Sequence, residues 1–424
     1  NFLYLYIGPS KYKRPKGIYN WNIKMKLIVK KYGGTSLSSS TKIKNIAKEI
    51  YLEANNNKIV IVLSAMGKTT DQLVSLSEKC SKNPNPRDYD LLVSSGEQIS
   101  ISLMSMALKD FGLDSVAYTG WQAGIKTNNA HSYARIVSIN ANKIKKDLKD
   151  NKVVVIAGFQ GINNGAITTL GRGGSDTSAV AIAAALKASE CQIFTDVDGV
   201  YTTDPRICDK AKKIDIMTYE EMLEMSGLGS KVLQLRSVEF ASKYNVPIRV
   251  MHAHKKGNGT LIKKEEKSVE DALISGIAFT KDESEIMIRG VKDSPGIAAA
   301  ILGPIGDADI EVDMIVQNVG SDGLADFTFT VSKKDFNKSL QVIDKLKKDI
   351  KYEDVISAKN IVKVSLIGVG MRSHAGIAGQ MFTCLAKKKI NIRMISTSEI
   401  KISVVIDQKN LENAVKALHN EFKL

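Results

Sequence analysis

Short apolar runs alternate with longer stretches of helical periodicity over residues 25–262. Runs of consecutive apolar residues are typical of strands that are buried on both faces of a parallel sheet. The predicted strands are residues 27–29, 59–63, 116–118, 153–157, 192–195 and 248–251. Helices are predicted near residues 41–55, 88–111, 132–150, 177–188 and 219–243. Strands that alternate with helices in this way indicate an α/β domain with a largely parallel sheet.

The chain beyond residue 273 follows a different pattern, in which one small unit occurs twice. Gly296 in SPGIAAAIL corresponds to Gly376 in SHAGIAGQMF, 80 residues later, and DIEVDMI corresponds to INIRMI at the same offset. Both copies continue into an alternating strand, DFTFTV or KISVVI. A constant offset predicts two α+β units of the order strand, glycine turn, helix, strand, strand, helix. Two unrelated βαβ fragments are the alternative.

The length and charge of the chain set further limits. The 424 residues exceed one ordinary domain, so two or more are expected. The formal net charge is +15, and the first 24 residues contain five Lys or Arg and no acid, so the remainder carries +10. That charge is spread over helices that also contain Glu and Asp, which is typical of a solvated surface. Nucleic acid binding is therefore not expected as the main role.

Four cysteines and five histidines are scattered along the chain without a C-x-x-C pair. Neither a disulfide framework nor a zinc site is expected, and a reducing cytoplasm is the natural compartment. No apolar run is long enough for a membrane span, and the first residues lack the features of a signal peptide. We expect residues 1–24 to be an extension, disordered or loosely packed, before a domain that starts at Met25.

Three glycine-rich turns adjoin predicted strands or helices: KYGGTS, LSAMGKTTD and TTLGRGGSDTSA. Glycine lets backbone N–H groups approach an anion closely, and a helix N-terminus attracts negative charge. Turns at the carboxyl ends of parallel strands meet at one edge of the sheet. Each turn alone could simply reverse the chain direction. Three of them, with Lys, Arg and Asp beside them, predict a binding site for an anionic ligand.

The familiar phosphate-binding motifs do not fit this chain. There is no G-x-x-x-x-G-K-[ST], because Lys31 precedes its glycines, and no G-x-G-x-x-G follows the first strand. No H-R-D motif is present to form the pair with D-F-G that marks protein kinases. The chain is therefore neither a P-loop enzyme nor a protein kinase, and a dehydrogenase is not expected.

Six segments occur in the order found in aspartate kinases, which belong to the amino acid kinase superfamily: KYGGTSL, VLSAMGKTTD, SSGEQIS, TTLGRGGSD, TDVDGVYTTDPR and GSKVLQLRSVE. The tail, with DMIVQNV and ISTSEIKIS, resembles the paired ACT regulatory domains of that family. The resemblance covers residues 25–424. It implies an α/β fold, an αβα sandwich with a mainly parallel central sheet, followed by two α+β ACT domains of βαββαβ order.

The resemblance also implies the domain limits. Residues 1–24 would be the extension and 263–272 a linker. The catalytic domain would be residues 25–262, the first ACT domain residues 273–350 and the second residues 358–424. Family precedent allows the C-terminal segment to complete the first ACT domain.

The reaction that the resemblance implies is transfer of the γ-phosphoryl group of ATP to the side-chain carboxylate of L-aspartate. The product would be 4-phospho-L-aspartate, in the first step of lysine, threonine and methionine biosynthesis. The nucleophile is already an anion, so no general base is required. Catalysis would rest on positioning and on cations that reduce the repulsion between carboxylate and triphosphate. Mg²⁺ would be held mainly by phosphate oxygens, and no metal site built from protein side chains is expected.

By resemblance, the catalytic residues are Lys31, Arg172 and Asp176. Lys31 would point at the β- and γ-phosphates; the alternative is a surface lysine, as we expect for Lys30. Arg172 is suited to a bidentate grip on the α-carboxylate of aspartate; the alternative is a solvated loop guanidinium. Asp176 would organise the lysines or help hold the substrate ammonium, and it could also cap a helix.

The substrate site implied by the resemblance comprises Ser64, Thr70, Glu97, Arg172, Gly174 and Ser175. Glu97 resembles the glutamate that receives the ammonium group of the substrate. An ordinary glutamate in the first turn of a helix, favoured by the helix dipole, is the alternative.

The nucleotide site implied by the resemblance comprises Lys31, Tyr32, Gly33, Gly34, Thr195, Asp196, Tyr201, Asp204, Arg206 and Lys231. Two lysines facing a triphosphate make electrostatic sense. The D-x-D-G sequence also resembles the start of an EF-hand loop. Position 207 is Ile where the closing glutamate would stand, so calcium is not expected.

The implied effectors are lysine, threonine or both. The implied effector residues are Asp313, Met314, Ile315, Gln317, Met371, Arg372, Asn391, Ile392, Ser398 and Glu399. Met314 and Ile315 could instead be core side chains. The second glycine turn reads SHAGIAG where many relatives have proline after histidine, which leaves the contacts there open. Pairing of ACT domains implies a homo- or hetero-oligomer.

Two classes of function remain open from the sequence: a feedback-regulated aspartate kinase, and a catalytically idle amino-acid sensor that retains the kinase fold. The presence of Lys31, Glu97, Arg172, Asp176 and Lys231 favours the enzyme. Related kinases that act on glutamate derivatives or uridylate generally lack the tandem tail. We expect a cytoplasmic enzyme with no nucleic acid or membrane partner.

Overall fold

The computed structural model describes residues 25–229, 232–265, 274–320, 323–347, 349–374 and 376–424. The predicted extension and most of the predicted linker lie outside these ranges. The described chain forms two compact units. The first contains residues 25–200, 213–226 and 232–265, and the second contains residues 201–212, 227–229 and the described residues from 274 onward.

The first unit is built around an eight-stranded central sheet of order β10-β12-β11-β9-β1-β2-β6-β3. Its neighbouring strands are parallel except for β11 and β12, which confirms the mainly parallel sheet. The strands of this unit are β1 (Lys26–Tyr32), β2 (Asn57–Leu63), β3 (Ser115–Tyr118), β4 (Ile125–Thr127), β5 (Ile136–Ile139), β6 (Val153–Ala157), β7 (Gln160–Asn163), β8 (Ala166–Thr169), β9 (Glu190–Thr195), β10 (Ile216–Thr218), β11 (Ile248–His252) and β12 (Thr260–Lys263).

Helices cover both faces of the central sheet, as in an αβα sandwich. The helices of this unit are α1 (Ser40–Glu53), α2 (Thr69–Cys80), α3 (Pro86–Val93), α4 (Ser95–Asp110), α5 (Asn142–Lys149), α6 (Gly174–Leu186), α7 (Tyr219–Gly227) and α8 (Leu235–Tyr244). Apolar side chains of α1 and α4 form a core with one face of β2 and β6. On the other face, α6 packs against β1 and β9. Eleven of its 13 residues are buried, and most are small, so this helix approaches the sheet closely.

Several predicted helices differ from the observed ones. The helix predicted at 88–111 is two helices, because the hydroxyls of Ser94 and Ser95 donate to the carbonyls of Leu91 and Leu92 and compete with the helical pattern. The helix predicted at 132–150 contains β5 before α5, and the one predicted at 219–243 is interrupted between α7 and α8. Helix α2 has no predicted counterpart.

A second sheet of four short strands, in the order β5-β4-β7-β8, was not predicted from the sequence. Its strands are three or four residues long, and β5 (IVSI) has no fully buried residue. Such strands carry too little alternation between apolar and polar positions to be recognised. The hairpin between β7 and β8 turns at Asn164 and Gly165, which both have positive φ. Asn-Gly is a common sequence for such a tight hairpin turn, so this dipeptide was the sequence signal that could have indicated the hairpin.

One helical stretch among the described residues, Pro86–Asp110, is long and apolar enough to cross a membrane by length and composition alone. More than half of its apolar window is buried. Its second part, α4, packs against α1, β3 and β6, as a core helix does.

The second unit confirms the predicted internal repeat. Its strands are β13 (Gly276–Lys292), β14 (Val312–Val319), β15 (Leu324–Val331), β16 (Asp354–Ile367), β17 (Met394–Thr397) and β18 (Lys401–Asp407), and its helices are α9 (Ile297–Asp307), α10 (Phe336–Leu346), α11 (Ile377–Lys387) and α12 (Leu411–Glu421). Gly296 and Gly376 each have φ of 96° and precede α9 and α11. Each copy therefore runs strand, glycine turn, helix, strand, strand, helix.

The first strand of each copy, β13 or β16, contributes one half of its length to the other copy. The first half of β13, residues 276–280, pairs with residues 363–367 of β16, whereas residues 285–289 pair with 354–358. Strand β15 pairs with the second half of β13, and β18 pairs with the second half of β16. Each copy is thus completed by a half-strand from the other, in one sheet of order β14-β15-β13-β16-β18-β17.

Residues 201–212 pack within the second unit, although they lie inside the range predicted for the catalytic domain. Thr202 Oγ1 is 2.9 Å from Nε2 of the buried His419 on α12, and the Ile277 N–H donates to the Thr202 carbonyl. Cys208 belongs to the apolar core around α11 and α12.

Two glycines of the small sheet allow a matched test of backbone strain. Gly124 and Gly165 have φ of 83° and 81°, but a Cβ at 124 would lie 2.3 Å from the Asn140 carbonyl oxygen, whereas no described atom lies within 4 Å at 165. We expect Gly165→Ala to cost about 1 kcal/mol through its left-handed backbone alone. Gly124→Ala should cost clearly more, because the clash is added. Thermal unfolding of the two variants checks this, and equal midpoints would contradict it.

Candidate active site

The glycine turns that follow β1 and β2 meet at the carboxyl edge of the central sheet. The Gly67 N–H donates to the Gly34 carbonyl at 2.9 Å, which joins the two turns directly. The Gly33 N–H donates to the carbonyl of Phe194 near the end of β9, at 3.3 Å. The convergence expected from parallel strands is therefore present.

The two glycines of the first turn differ in the space around them: a side chain at Gly34 would clash, whereas one at Gly33 would make ordinary contacts. A Cβ on Gly34 would lie 2.8 Å from the Ala65 carbonyl oxygen in the second turn. A Cβ on Gly33 would lie 3.5 Å from Nζ of Lys31. The backbone at Gly33 thus lies next to the ammonium group of Lys31.

Lys31 is buried on the face of β1 that is covered by α6. Its Nζ is 2.6 Å from Oδ1 of Asp176, and both side chains are 11% exposed. Asp176 stands in the first turn of α6, where the left-handed Gly173 (φ 71°) begins the helix. The pair brings the predicted lysine and the predicted aspartate together. A buried ammonium needs such a partner, because an unpaired buried charge is costly.

The expectation that Lys30 is a surface lysine is wrong. Alternation along β1 directs it to the opposite face from Lys31, where it is 2% exposed. Its Nζ is 2.5 Å from Oε2 of Glu53 on α1 and 5.2 Å from the ring centre of Phe194. The ion pair and the cation–π contact replace the water that this lysine has lost.

Glu97 is buried in the first turn of α4, beside the second glycine turn. Its Oε1 accepts the Ala65 N–H at 3.0 Å, and its buried Oε2 has no hydrogen-bond partner in the described part of the chain. Burial raises the pKa of this carboxyl to about 8, against the smaller opposing effect of the backbone hydrogen bonds. Gly96 permits the close approach, since a Cβ there would lie 2.7 Å from Cβ of Ala65. Among the residues that the structure describes, the unpartnered oxygen of this carboxyl group thus has no cation beside it.

Arg172 lies on the loop that leads into α6. Its side chain is exposed and has no ion-pair partner among the described residues. Gly171 and Gly173 on either side have φ of 75° and 71°, and a Cβ at 173 would lie 1.8 Å from Cγ of Gln234. The loop is therefore closely packed, while the guanidinium that it presents is unpaired.

The other predicted substrate residues follow the same turns. Ser64 and Thr70 are half-buried in and after the second turn, and Gly174 and Ser175 are buried at the start of α6. Ser175 packs closely on the end of β6, since a Cβ on Gly158 would lie 2.8 Å from its Cβ.

The predicted nucleotide residues are less closely grouped. Thr195 ends β9, beside the first turn, and its hydroxyl donates at 3.1 Å to Oδ1 of the exposed Asp196, which follows the strand. The Tyr32 ring is buried and stacked on Phe194 at 4.5 Å, so only the backbone of Tyr32 is available to a ligand. Lys231 lies outside the described residues.

Three further predicted nucleotide residues, Tyr201, Asp204 and Arg206, belong to the second unit. Asp204 and Arg206 form an ion pair at 2.8 Å, with Arg206 largely exposed. The hydrogen bonds to Arg206 lower the pKa of the Asp204 carboxyl.

The predicted effector residues divide into groups in the second unit. Asp313, Met314 and Ile315 line a cavity of about 400 Å³ together with Leu228, Lys363, Ser396, Lys401 and Ser403. The buried Lys363 contacts Asp313, and its Nζ is 2.9 Å from Oε1 of Glu283. The sequence analysis did not single out Lys363, because only tertiary packing shows that the face of β16 on which it lies borders this cavity.

The remaining effector residues do not line this cavity. Gln317 donates to Asp293 at 3.3 Å, near the first glycine turn. Met371 and Ile392 pack against the core around α11 and α12, so their side chains serve packing. Asn391, Ser398 and Glu399 lie in the loops before and after β17. The Arg372 side chain is outside the described part of the structure.

Comparison with known proteins places this geometry in context. The model of the amino acid kinase family matches residues 26–252, and that of the ACT domain matches residues 285–350 and 364–422. The chain is 56% identical over 403 residues to the aspartate kinase Ask_LysC of Stutzerimonas stutzeri, which covers 94% of this chain and 98% of that protein.

Two solved structures extend the comparison. Clostridium acetobutylicum aspartate kinase matches with a TM-score of 0.77 at 26% identity, over 93% of this chain and 100% of that one. Escherichia coli aspartokinase III, in complex with lysine and aspartate in the T-state, matches with a TM-score of 0.74 at 25% identity, over 93% and 99%.

The buried carboxyl of Glu97 predicts a pH-dependent stability. Its pKa is about 8 in the folded protein, above its ordinary value of 4.5. Between these values the folded chain keeps a proton that the unfolded chain has lost, so the contribution to stability falls as the pH rises towards 8. Glu97→Gln should therefore raise the thermal unfolding midpoint over the parent chain, increasingly from pH 5 to pH 8 and no further above it. Glu78→Gln, at an exposed position on α2, is the control. A difference independent of pH would contradict the prediction.

Proposed function

The chain belongs to the aspartate kinases of the amino acid kinase family, and from this we propose that it transfers the γ-phosphoryl group of ATP to the side-chain carboxylate of L-aspartate. The products are 4-phospho-L-aspartate and ADP. The observation that supports this most directly is the buried Lys31–Asp176 pair where the glycine turns converge.

On the nucleotide side, the ammonium of Lys31 faces the β- and γ-phosphates. The small residues Gly33 and Gly34 let backbone N–H groups approach the same oxygens. In the free enzyme, Asp176 balances the positive charge of Lys31. When the triphosphate binds, it becomes a second anionic partner of Lys31, and the lysine charge then acts on the transferring group as well. Thr195 and Asp196 complete the nucleotide side at the end of β9.

ATP is used as its Mg²⁺ complex. Among the described residues, no group of three or more His, Cys, Asp or Glu side chains is arranged to hold a metal. We propose that the metal arrives with the nucleotide and is held mainly by phosphate oxygens. When bound, Mg²⁺ neutralises part of the triphosphate charge.

On the substrate side, the two charged ends of the amino acid have separate partners. The exposed guanidinium of Arg172 binds the α-carboxylate through two parallel hydrogen bonds. The unpartnered Oε2 of Glu97 accepts the α-ammonium, and that cation restores the ionised form of Glu97. Ser64, Thr70, Gly174 and Ser175 surround the side chain that is to be phosphorylated.

The chemical step then needs no proton transfer. The side-chain carboxylate attacks the γ-phosphorus while the bond to the β,γ-bridging oxygen breaks, and ADP leaves with the electron pair. The principal barrier is repulsion between the carboxylate and the triphosphate. A lysine in a nearly water-free site opposes this repulsion more strongly than it would in water.

The second unit supports regulation by amino acids. E. coli aspartokinase III binds lysine, and we propose lysine, threonine or both as effectors here. Asp313 and Lys363 give the 400 Å³ cavity the pair of opposite charges that the ends of an amino acid require. The further effector residues near the glycine turns belong to the same proposal, as does assembly of the chain into oligomers through these domains. The enzyme would act in the cytoplasm, at the start of lysine, threonine and methionine synthesis.

Replacing Lys31 by methionine tests the proposed chemistry. We expect Lys31→Met to be less stable, because Asp176 loses its partner, and the folded variant to lose at least about 100-fold in rate, because the Lys31 cation acts on the transferring group. The measurement is formation of aspartyl hydroxamate from ATP, Mg²⁺, aspartate and hydroxylamine. Lys26→Met, at an exposed position on the same strand, is the control and should retain the parent rate.

Two outcomes would count against the proposal. Undiminished hydroxamate formation by folded Lys31→Met would remove Lys31 from the active centre. No aspartyl hydroxamate from the parent chain would remove the kinase activity and favour an idle amino-acid sensor.

Regulation is tested by initial rates against aspartate with lysine and threonine added singly and jointly. We expect at least one of these conditions to lower the rate, with isoleucine inactive as the control amino acid. Asp313→Asn should weaken the inhibition, because it removes the negative charge beside Lys363, whereas Asp309→Asn at an exposed turn should not. Rates that are unaffected by both amino acids would contradict the regulatory proposal.

A further inference from the structure

A fully buried carboxylate on α3, Asp90, is hydrogen-bonded to two separate segments of the first unit. Its Oδ1 accepts the Thr169 hydroxyl at 2.6 Å, and its Oδ2 accepts the Thr169 N–H at 3.0 Å. The Ser132 N–H lies 3.0 Å from both oxygens, and Nδ1 of His131 lies 2.8 Å from Oδ2. Both oxygens are therefore fully used. None of the residue roles derived above accounts for this network.

The two segments tied by Asp90 adjoin the loop that carries Arg172. Thr169 ends β8, three residues before Arg172, and its carbonyl accepts the Ala134 N–H at 2.9 Å. The Ser132 carbonyl oxygen would lie 3.0 Å from a Cβ on Gly171, so residues 131–134 pack closely against the arginine loop. Asp90 thus fixes both the start of the loop and the segment that it packs on.

The opposite side of the loop is fixed from α8. The guanidinium of Arg236 donates to the Leu170 carbonyl at 2.7 Å and to the Ala134 carbonyl at 3.0 Å. The loop backbone is therefore held at both sides, while the Arg172 side chain is exposed. A long flexible side chain can still bind a planar carboxylate in a defined direction if its backbone is fixed.

We propose that Asp90 is a positioning residue for Arg172, which orients the guanidinium towards the α-carboxylate of aspartate. This rests on the proposed function of Arg172 in substrate binding. Asp90 acts through Thr169 and the 131–134 segment and does not touch the substrate. An ionised carboxylate suits this role because it accepts several hydrogen bonds and donates none. An amide at position 90 would turn N–H groups towards the N–H groups of Thr169 and Ser132.

The inference predicts which kinetic constant changes. Arg172 would contact the α-carboxylate equally before and during phosphoryl transfer. Loss of its alignment should therefore weaken aspartate binding and raise the KM for aspartate, with little change in kcat or in the KM for ATP. A purely structural role for Asp90 would lower the amount of folded enzyme and leave both KM values unchanged.

The experiment compares three variants of two adjacent buried threonines on β8. Thr169→Val removes the hydroxyl that Asp90 accepts, and Thr169→Ser retains it. Thr168→Val is the matched control, because Thr168 is equally buried and its hydroxyl pairs with that of Thr127 at 2.5 Å. We expect Thr169→Val to raise the KM for aspartate roughly tenfold, because that factor corresponds to the loss of one hydrogen bond to a charged group. Thr169→Ser keeps the hydroxyl and should have the KM of the parent. Thr168→Val should lower stability and leave the KM for aspartate within about twofold of the parent.

The outcomes are decisive in either direction. A parental KM for aspartate in folded Thr169→Val, or equal increases in Thr168→Val and Thr169→Val, would overturn the positioning role. If Thr169→Val does not fold, His131→Ala removes another partner of Asp90 at a partly exposed position, and an unchanged KM for aspartate in that variant would overturn the role. Absence of aspartyl hydroxamate from the parent chain would instead indicate failure of the proposed function, so the two failures are distinguishable.

Discussion

The first unit contains one electrostatic constraint on which the proposed function depends: a lysine ammonium is kept almost out of water at the edge of the sheet where the glycine turns converge. Removing Lys31 from solvent costs several kcal/mol unless an opposite charge lies beside it, and Asp176 supplies that charge at 2.6 Å. The pair can form only because α6 approaches β1 closely, which its small residues allow. In the proposed function, the glycines at 33 and 34 let a triphosphate approach the same cation. The small residues of α6, the glycines of the first turn and the Lys31–Asp176 ion pair are therefore parts of one arrangement.

Much of this arrangement was predictable from the sequence, because its signals are local. The apolar runs predicted each long strand of the central sheet, and the glycine turns after β1 and β2 indicated the edge where they meet. Local sequence signals did not predict the different environments of Lys30 and Lys31. Adjacent residues of a strand point to opposite faces, but only tertiary packing reveals that both faces are covered, so that Lys30 is buried against Glu53 rather than exposed. Asp90 was missed for the same reason, since its hydrogen-bond partners lie about 40 and 80 residues away.

The second unit shows the converse case, in which a repeat in the sequence predicted more than local patterns did. The 80-residue offset recovers the order of elements in both copies, and the two left-handed glycines before α9 and α11 have matching backbone angles. The repeat does not indicate how the copies join. That depends on the register between β13 and β16, which is set where the bulge after Thr280 lets one strand pass from one copy to the other.

The exchanged half-strands of β13 and β16 have a consequence for how such a pair could have arisen and diversified. A copy cut out at its sequence boundaries would carry an open sheet edge, whose unsatisfied backbone groups invite pairing with other chains. Neither copy is thus a portable module that genetic recombination could move alone. The two would have to be inherited, lost or transplanted together, and after duplication their sequences could diverge only within the limits of a common strand register.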